Sequence, residues 1–279
     1  MRPRLFYGII SLLRLNSRRN PMNIEYFIFS GTGNTELAAR EVGAALAEKG
    51  HSVNFHKMED GAPERIESGS VVGLAFPIAF CSTYPIVLDF IASLPQGSGQ
   101  KIFMTATMAG MALGAEAKFK SLVSRRGYTP VASAIFLMPS NYNNTVMPVK
   151  KNEAMVSAAR EHARDFAAAL ADGSAKWSRG LPIVASFGHW FIRSGRAMRL
   201  FYRMFPIEID HSRCVKCLRC MENCPAGAID RNAESLFINP SKCQSCQRCV
   251  GFCPVHAIVV QGKPAEQYRA MEYEEFAKR

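Results

Sequence analysis

The sequence predicts an α/β protein in which a doubly wound parallel sheet of five strands is followed by a small α+β domain. From residue 22 to residue 171, strand-like runs alternate with amphipathic helical stretches, and parallel neighbours in a sheet need such crossover connections. Eight of the nine cysteines lie between Cys214 and Cys253, which indicates a separate unit in the last quarter of the chain. With 279 residues, 48% of them hydrophobic, the chain can bury the cores of about two domains.

Local sequence patterns predict each element of the first domain. Asn23–Phe29 is a β-branched and aromatic run, Glu36–Lys49 is an alanine-rich amphipathic stretch, and His51–Met58 alternates as a half-buried strand does. Ser70–Phe76 is apolar almost throughout, which is typical of a strand buried on both faces. The remaining predicted elements are, in order, helix Pro85–Leu94, strand Lys101–Thr107, helix Ala112–Arg126, strand Thr129–Met138 and helix Asn152–Ala171.

The turn between the first strand and the first helix is rich in glycine and in small polar residues. It consists of Ser30, Gly31, Thr32, Gly33, Asn34 and Thr35. Such residues leave backbone N–H groups accessible at a helix N-terminus, where the helix dipole favours an anion. We interpret this turn as a phosphate-binding loop. The alternative is a glycine turn in which a threonine caps the helix.

This loop resembles the phosphate loop of flavodoxins, and the resemblance extends over about residues 23–170. It implies a flavodoxin-like fold with bound FMN. Two further loops follow the third and fourth strands, where flavodoxins hold the isoalloxazine ring. The residues that the resemblance assigns to these loops are Pro77, Ile78, Ala79, Phe80, Tyr84, Thr107, Met108, Ala109 and Gly110. Phe80 or Tyr84 would stack on the ring, and the polar stretch 138–143 would close over the cofactor.

The cysteines of the last quarter form an internal repeat. Two copies of the spacing C-x2-C-x2-C-x3-C-P occur at a constant offset of 29 residues. The copies are Cys214, Cys217, Cys220 and Cys224, and then Cys243, Cys246, Cys249 and Cys253. Zinc ribbons use cysteines in pairs, which does not match a repeated three-plus-one pattern. A disulfide framework is not expected either, because disulfides are typical of exported proteins.

This repeat resembles the two-cluster bacterial ferredoxins, in which the fourth cysteine of each motif serves the other cluster. The resemblance implies two 4Fe-4S clusters. Carried over residue by residue, one cluster would take Cys214, Cys217, Cys220 and Cys253, and the other would take Cys243, Cys246, Cys249 and Cys224.

The net charge of +11 is distributed unevenly along the chain. Residues 1–20 carry five arginines and no acidic residue, giving +5, while segments 21–171, 172–213 and 214–279 carry 0, +4 and +2. The positive charge therefore concentrates in an N-terminal leader and in a linker.

The basic leader, residues 1–21, places an apolar stretch between arginines. No small-residue cleavage site follows this stretch, and the twin-arginine pair comes after it, whereas an export signal would carry the pair in front. We therefore expect a cytoplasmic protein. Two interpretations stay open: synthesis starts at Met22, or the leader is an amphipathic membrane anchor.

The linker, residues 172–207, is rich in aromatic residues and arginines. Arg193, Arg196, Arg199 and Arg203 recur at three- and four-residue spacing, which predicts a basic amphipathic helix. Such a helix either packs across the first domain or contacts a membrane surface or an acidic partner. No nucleic-acid-binding motif accompanies the charge, so no nucleic-acid partner is expected. The ferredoxin domain is expected over 208–262, followed by a helical tail over 263–279.

A flavin site and two cluster sites on one chain favour an electron-transfer flavoprotein that exchanges electrons with a redox protein partner. One alternative is a flavin-dependent reductase of a small organic substrate, fed by the clusters. Another is an oxygen or iron sensor. No catalytic residue is predicted, because Cys81 stands alone in its loop and the first domain shows no His, Asp and Ser constellation.

Overall fold

The structure is a computed structural model, and it describes residues 20–79, 82–110, 114–141, 148–178, 182–193, 200, 202–233, 235–264 and 268–277. Several predicted features therefore lie outside the described residues, namely the leader up to residue 19, Phe80, Cys81, Arg196, Arg199 and residues 142–143 of the polar stretch.

The first domain contains a five-stranded parallel sheet in the order β2-β1-β3-β4-β5. This is the strand order of flavodoxin-like doubly wound sheets, so the predicted fold class is confirmed. The strands are β1 (Asn23–Ile28), β2 (Ser52–Lys57), β3 (Val71–Pro77), β4 (Lys101–Met108) and β5 (Thr129–Leu137).

Four helices accompany the sheet, three of them as crossover connections between strands and the fourth after β5. They are α1 (Asn34–Ala47), α2 (Pro85–Ser93), α3 (Ala115–Arg125) and α4 (Val149–Asp172). Helix α4 begins three residues before the predicted start, directly after Pro148. The fixed φ angle and the missing N–H of proline favour a helix start directly after Pro148. The helix therefore includes Val149, Lys150 and Lys151, which precede the predicted start.

The side-chain alternation along β1 supplies two hydrophobic cores. Phe27 belongs to the core that contains Phe119 of α3, whereas Tyr26 belongs to the core that contains Phe166 of α4. Both faces of the sheet are therefore covered. A ligand site on such a sheet lies beyond the carboxyl ends of the strands, where the loops after β1, β3 and β4 meet.

The second domain is a small α+β unit, as predicted. Its strands and helices are β6 (Ile207–Ile209), α6 (Arg219–Glu222), β7 (Ile229–Arg231), β8 (Leu236–Ile238), α7 (Arg248–Gly251), β9 (Ile258–Val260) and β10 (Lys263–Pro264). Antiparallel pairing joins β6, β9 and β10 in one sheet and β7 to β8 in another. The domain thus starts one residue earlier and ends two residues later than the predicted range 208–262.

The linker and the tail contain one helix each among the described residues with defined bounds, α5 (Pro182–Arg193) and α8 (Tyr273–Ala277). Helix α5 packs against α3. The prediction of a helical tail from residue 263 is wrong at its start, because residues 263–264 pair with β9 as β10. None of the helices within the described ranges combines the length and apolar composition that crossing a bilayer requires.

Candidate functional site

A cavity of about 300 Å³ lies where the loops after β1, β3 and β4 meet. The residues that line it are Ser30, Gly31, Thr32, Asn34, Thr35, Pro77, Ile78, Ala79, Tyr84, Thr107, Met108, Ala109, Pro139, Ser140, Asn141 and Cys246. The structure therefore brings together twelve of the residues that the sequence assigned to a flavin site.

Two assigned residues do not line this cavity. Gly33 has a φ of 100°, and a Cβ there would lie 2.8 Å from Cγ of Met271, so this glycine faces the C-terminal segment. Gly110 follows β4 in an open position, with no other group within 4 Å of where a Cβ would be. The assignment of both residues to a flavin site stays a prediction.

The loop before α1 offers donors and an unpaired acceptor to a ligand. Because α1 begins at Asn34, the first backbone N–H groups of the helix have no partner within it. The Asn34 side chain donates from Nδ2 to the carbonyl oxygen of Pro139 at 2.9 Å. Its Oδ1 is buried and has no hydrogen-bond partner among the described residues. This combination fits FMN, which carries a phosphate group and the hydroxyl donors of its ribityl chain.

Hydroxyl groups connect the loops of this cavity. Asn141 donates from Nδ2 to Oγ1 of Thr32, so the Thr32 hydroxyl can still donate its own hydrogen. Oγ1 atoms of Thr35 and Thr107 lie 2.7 Å apart and join the loop after β1 to β4. No charged side chain of the described residues lines the cavity. A bound phosphate would therefore depend on backbone N–H groups, hydroxyls and the N-terminus of α1.

Tyr84 is the aromatic residue of the predicted ring site that the structure describes. Its side chain is buried, lines the cavity and lies 5.7 Å from the ring of Phe29, measured between centroids. Stacking of Tyr84 on a flavin ring stays a prediction.

The cysteines line two further cavities in the second domain. Cys214, Cys217, Cys220 and Cys253 line one of them, and Cys224, Cys243, Cys246 and Cys249 line the other. These are the two sets that the ferredoxin resemblance implies, each with three thiols from one motif and the fourth from the other. No group of three or more His, Cys, Asp or Glu side chains in the described ranges converges as a site for a single metal ion.

The backbone repeats along with the cysteines. Lys216 and Leu218 have positive φ angles of 53° and 63°, and their equivalents Ser245 and Gln247 have 54° and 57°. The left-handed region is unfavourable for residues other than glycine. The same conformation at equivalent positions of both motifs therefore indicates a constrained turn in each. The turn wraps the chain around each cysteine cavity, which fits the wrapping of a cluster.

Burial raises the pKa of Cys220, Cys243, Cys246 and Cys249, which favours the neutral form of these thiols. It raises the pKa of Cys246 to about 12 and that of Cys220 to about 11. Thiolates are the ligand form, so the positive charge of bound iron would favour the deprotonated thiols that ligation requires. Backbone N–H groups of Ala228 and Ala257 donate to the sulfurs of Cys224 and Cys253, both at 3.2 Å.

The cluster domain lies directly against the phosphate loop. Cys246 lines both the 300 Å³ cavity and one of the cysteine cavities. A Cβ on Gly31 would lie 2.4 Å from the carbonyl oxygen of Cys246, so glycine is required for this approach. Nearby, the backbone N–H of Ile86 donates to Oε1 of Gln244 at 3.0 Å. The cysteine motif did not indicate that Cys246 would line this cavity.

A buried arginine joins the two domains. The side chain of Arg248 is 4% exposed and donates to the carbonyl oxygens of Ser30, at 2.8 Å, and Asn223, at 3.1 Å. It also forms a 2.8 Å ion pair with Glu59. The guanidinium carbon lies 5.6 Å from the centre of the Phe29 ring. No motif in the sequence distinguished this arginine from the others.

The C-terminal segment completes the junction. Met271 is buried against Gly33, and Phe276, which is 1% exposed, packs on Phe252 with ring centroids 4.5 Å apart. Arg248 lies 5.2 Å from the centre of the Phe276 ring. The tail therefore contacts both the phosphate loop and the cluster domain, which the sequence did not indicate.

Comparison with known proteins identifies one domain. Residues 206–254 match the family model described as a 4Fe-4S dicluster domain. No curated protein sequence matches the chain.

Similar solved structures include several flavin proteins. Flavodoxin from Megasphaera elsdenii is 23% identical, with 50% of this chain and 98% of that chain covered and a TM-score of 0.35. A short-chain flavodoxin associated with a bacterial microcompartment is 15% identical, with 56% and 99% covered and a TM-score of 0.40. An NADH:FMN oxidoreductase is 17% identical, with 52% and 89% covered and a TM-score of 0.36.

Proposed function

We propose that this chain is an electron-transfer flavoprotein whose first domain holds FMN directly beside one of two 4Fe-4S clusters in the second domain. One observation carries the proposal: Cys246, a member of one cysteine set, also lines the cavity at the phosphate loop. FMN exchanges one or two electrons and a 4Fe-4S cluster exchanges one, so together they connect paired and single electron transfer.

The first domain contributes a neutral binding site. The N-terminus of α1 and the hydroxyl of Thr32 would hold the phosphate, and the buried Oδ1 of Asn34 would accept a hydrogen bond from the ribityl chain. Tyr84 and Met108 supply apolar walls that would exclude water from the ring. These residues bind and orient the cofactor, and none of them is needed as an acid or base.

The second domain contributes two sets of thiols, which differ in the surroundings of the equivalent residues Cys246 and Cys217. Cys246 belongs to the set beside the flavin cavity, while Cys217 of the other set is exposed. The proposal therefore places two clusters in series, with the second one closer to solvent and to a redox protein partner. The eight cysteines of the described residues are unpaired, which suits a reducing compartment such as the cytoplasm.

The contact between Gly31 and Cys246 provides the test. Gly31→Ala should force the two loops apart, and Gly110→Ala is the matched control because its new methyl group meets no neighbour within 4 Å. After anaerobic photoreduction of the flavin, cluster reduction should be slower in Gly31→Ala than in the parent and in Gly110→Ala, compared at equal iron and FMN contents.

Two outcomes would contradict the proposal. Clusters that stay oxidised after full reduction of the flavin in the parent protein would remove the link between the two cofactors. Rapid turnover of a small organic substrate without any electron delivery to foreign redox proteins would favour the reductase alternative.

A further inference from the structure

The internal repeat allows equivalent residues of the two motifs to be compared, and they differ in their surroundings. Cys246 lines the flavin cavity, whereas its equivalent Cys217 is exposed. Gln244 accepts a hydrogen bond from Ile86 of the first domain, whereas its equivalent Val215 is 62% exposed. One copy of this loop is therefore an interface and the other copy faces solvent.

The arginines that follow the two loops show the same asymmetry. Arg248 is buried and donates to Ser30 of the phosphate loop. Its equivalent Arg219 lies over the ring of Tyr273, 4.3 Å from the centroid, and pairs with Glu274 at 3.5 Å. In the second motif this position joins the cluster loop to the flavin domain, while in the first motif it contacts the C-terminal helix α8.

We propose that the exposed loop, residues 213–219, is the docking surface for an acidic one-electron redox protein. The inference rests on the proposed function, since it identifies where electrons enter or leave the cluster of Cys214, Cys217, Cys220 and Cys253. The flavin cavity and the exposed loop then lie at opposite ends of one chain of electron carriers.

The chemistry of the surface indicates an acidic partner. Residues 211–219 contain three basic residues, Arg213, Lys216 and Arg219, and no acidic residue. Val215 and Val255, exposed by 62% and 36%, line the cysteine cavity and provide apolar contact area beside them. Arg213 pairs with Asp210 at 3.4 Å and Arg219 pairs with Glu274 at 3.5 Å, and Lys216 is exposed in the middle of the loop. An apolar centre with a charged rim is the usual anatomy of a transient protein interface.

The proposed step transfers one electron and nothing else. In the delivering direction, Cys214, Cys217, Cys220 and Cys253 would hold a cluster that gives up one electron, and the one-electron centre of the docked protein would accept that electron. No bond is formed or broken and no proton needs to move, so the surface needs proximity and orientation but no acid or base.

The test uses the complete holoprotein and an acidic plant-type [2Fe-2S] ferredoxin as the probe. Lys216→Glu should weaken binding of the probe by about tenfold at low ionic strength. Lys150→Glu makes the same charge change at an exposed position at the start of α4 and should have little effect. Amide hydrogen exchange should show protection of residues 213–219 when the probe is added. If Lys216→Glu loses iron, Val255→Glu takes its place, and the same weakening of probe binding is expected for it.

Two results would overturn the docking surface. Equal weakening by Lys216→Glu and Lys150→Glu would show that net charge alone attracts the probe. Protection of α5 instead of residues 213–219 would place the interface on the linker. These binding readouts do not depend on the proposed function, whose own failure would appear as clusters that light-reduced flavin cannot reduce.

Discussion

Arg248 donates a hydrogen bond to the carbonyl oxygen of Ser30 at 2.8 Å, so a side chain of the cluster domain contacts the first residue of the phosphate loop. The same Nη2 atom lies 2.8 Å from Oε1 of Glu59, which follows β2. A single buried cation therefore joins both domains at the place where the flavin cavity and a cysteine cavity meet.

Removing this cation should destabilise the junction. Arg248→Met should lower the free energy of unfolding by about 3–5 kcal/mol, because it leaves the mostly buried carboxylate of Glu59 without this charge. Arg164→Met is the control, since Arg164 is 63% exposed in its pair with Glu41 and should cost at most about 1 kcal/mol. Urea unfolding followed by flavin fluorescence measures both. A loss no larger in Arg248→Met than in Arg164→Met would contradict the role of the buried pair, whereas partial recovery by added Glu59→Gln would support it.

A negative charge in the phosphate loop should expel FMN. Thr32 is 5% exposed and lines the cavity, so Thr32→Asp places a carboxylate beside the phosphate site. Repulsion between like charges should raise the FMN dissociation constant by about a hundredfold. Thr129→Asp adds the same charge at an exposed position at the start of β5 and should leave binding unchanged. Purification of Thr32→Asp with stoichiometric FMN would refute the assignment of the phosphate loop.

The two cysteine sets predict which cluster each substitution damages. Cys253 lines the cavity with the first three cysteines of motif one, so Cys253→Ala should disturb the cluster at Cys214, Cys217 and Cys220. The reciprocal Cys224→Ala should disturb the cluster beside the flavin cavity. Electron paramagnetic resonance of the reduced variants, after iron analysis, separates the two. Loss of the flavin-side cluster in Cys253→Ala would show that each motif holds its own cluster.

The packing of α5 on α3 should weaken in acid. Burial lowers the pKa of His189 from its ordinary value of 6.5 to about 4, and the charges of Lys118 and Arg193 act in the same direction. The unfolded chain then binds the proton more tightly than the folded chain. The stability that comes from burying neutral His189 is fully present above its ordinary pKa of 6.5. It is lost as the pH falls through 6.5 towards 4.

Urea unfolding at about pH 7.5 and about pH 5 checks this expectation. The parent should lose more stability between the two conditions than His189→Asn does. His211→Asn, at an exposed position before the first cysteine motif, is the control and should retain the parental pH dependence. Identical pH dependence of the parent and His189→Asn would show that His189 does not titrate differently in the folded state.

Much of the fold could be predicted because its signals are local. The apolar run Ser70–Phe76 and the alternating run His51–Met58 correspond to β3 and β2 within one residue at each end. The two cysteine sets could also be predicted, because the spacing of ligands within a motif is a local property of the sequence. The predicted phosphate loop does line the cavity, apart from Gly33.

The contacts between the domains could not be predicted, because spacing and periodicity describe neighbours along the chain only. Nothing in the motif around Cys246 shows that its carbonyl oxygen would lie against Gly31. The same limit explains Gly33, whose left-handed conformation faces Met271 of the tail and not the cavity. A pattern can show that a glycine is needed, but the partner that needs it becomes visible in three dimensions.

Anaerobic photoreduction of the holoprotein, with iron and FMN measured on the same sample, tests the proposed electron transfer between flavin and clusters most directly. The holoprotein should contain one FMN and about eight irons per chain, and electron paramagnetic resonance signals of two reduced 4Fe-4S clusters should appear after the flavin is reduced. A protein that holds both cofactors but shows no cluster signal after its flavin is fully reduced would contradict the proposed electron transfer.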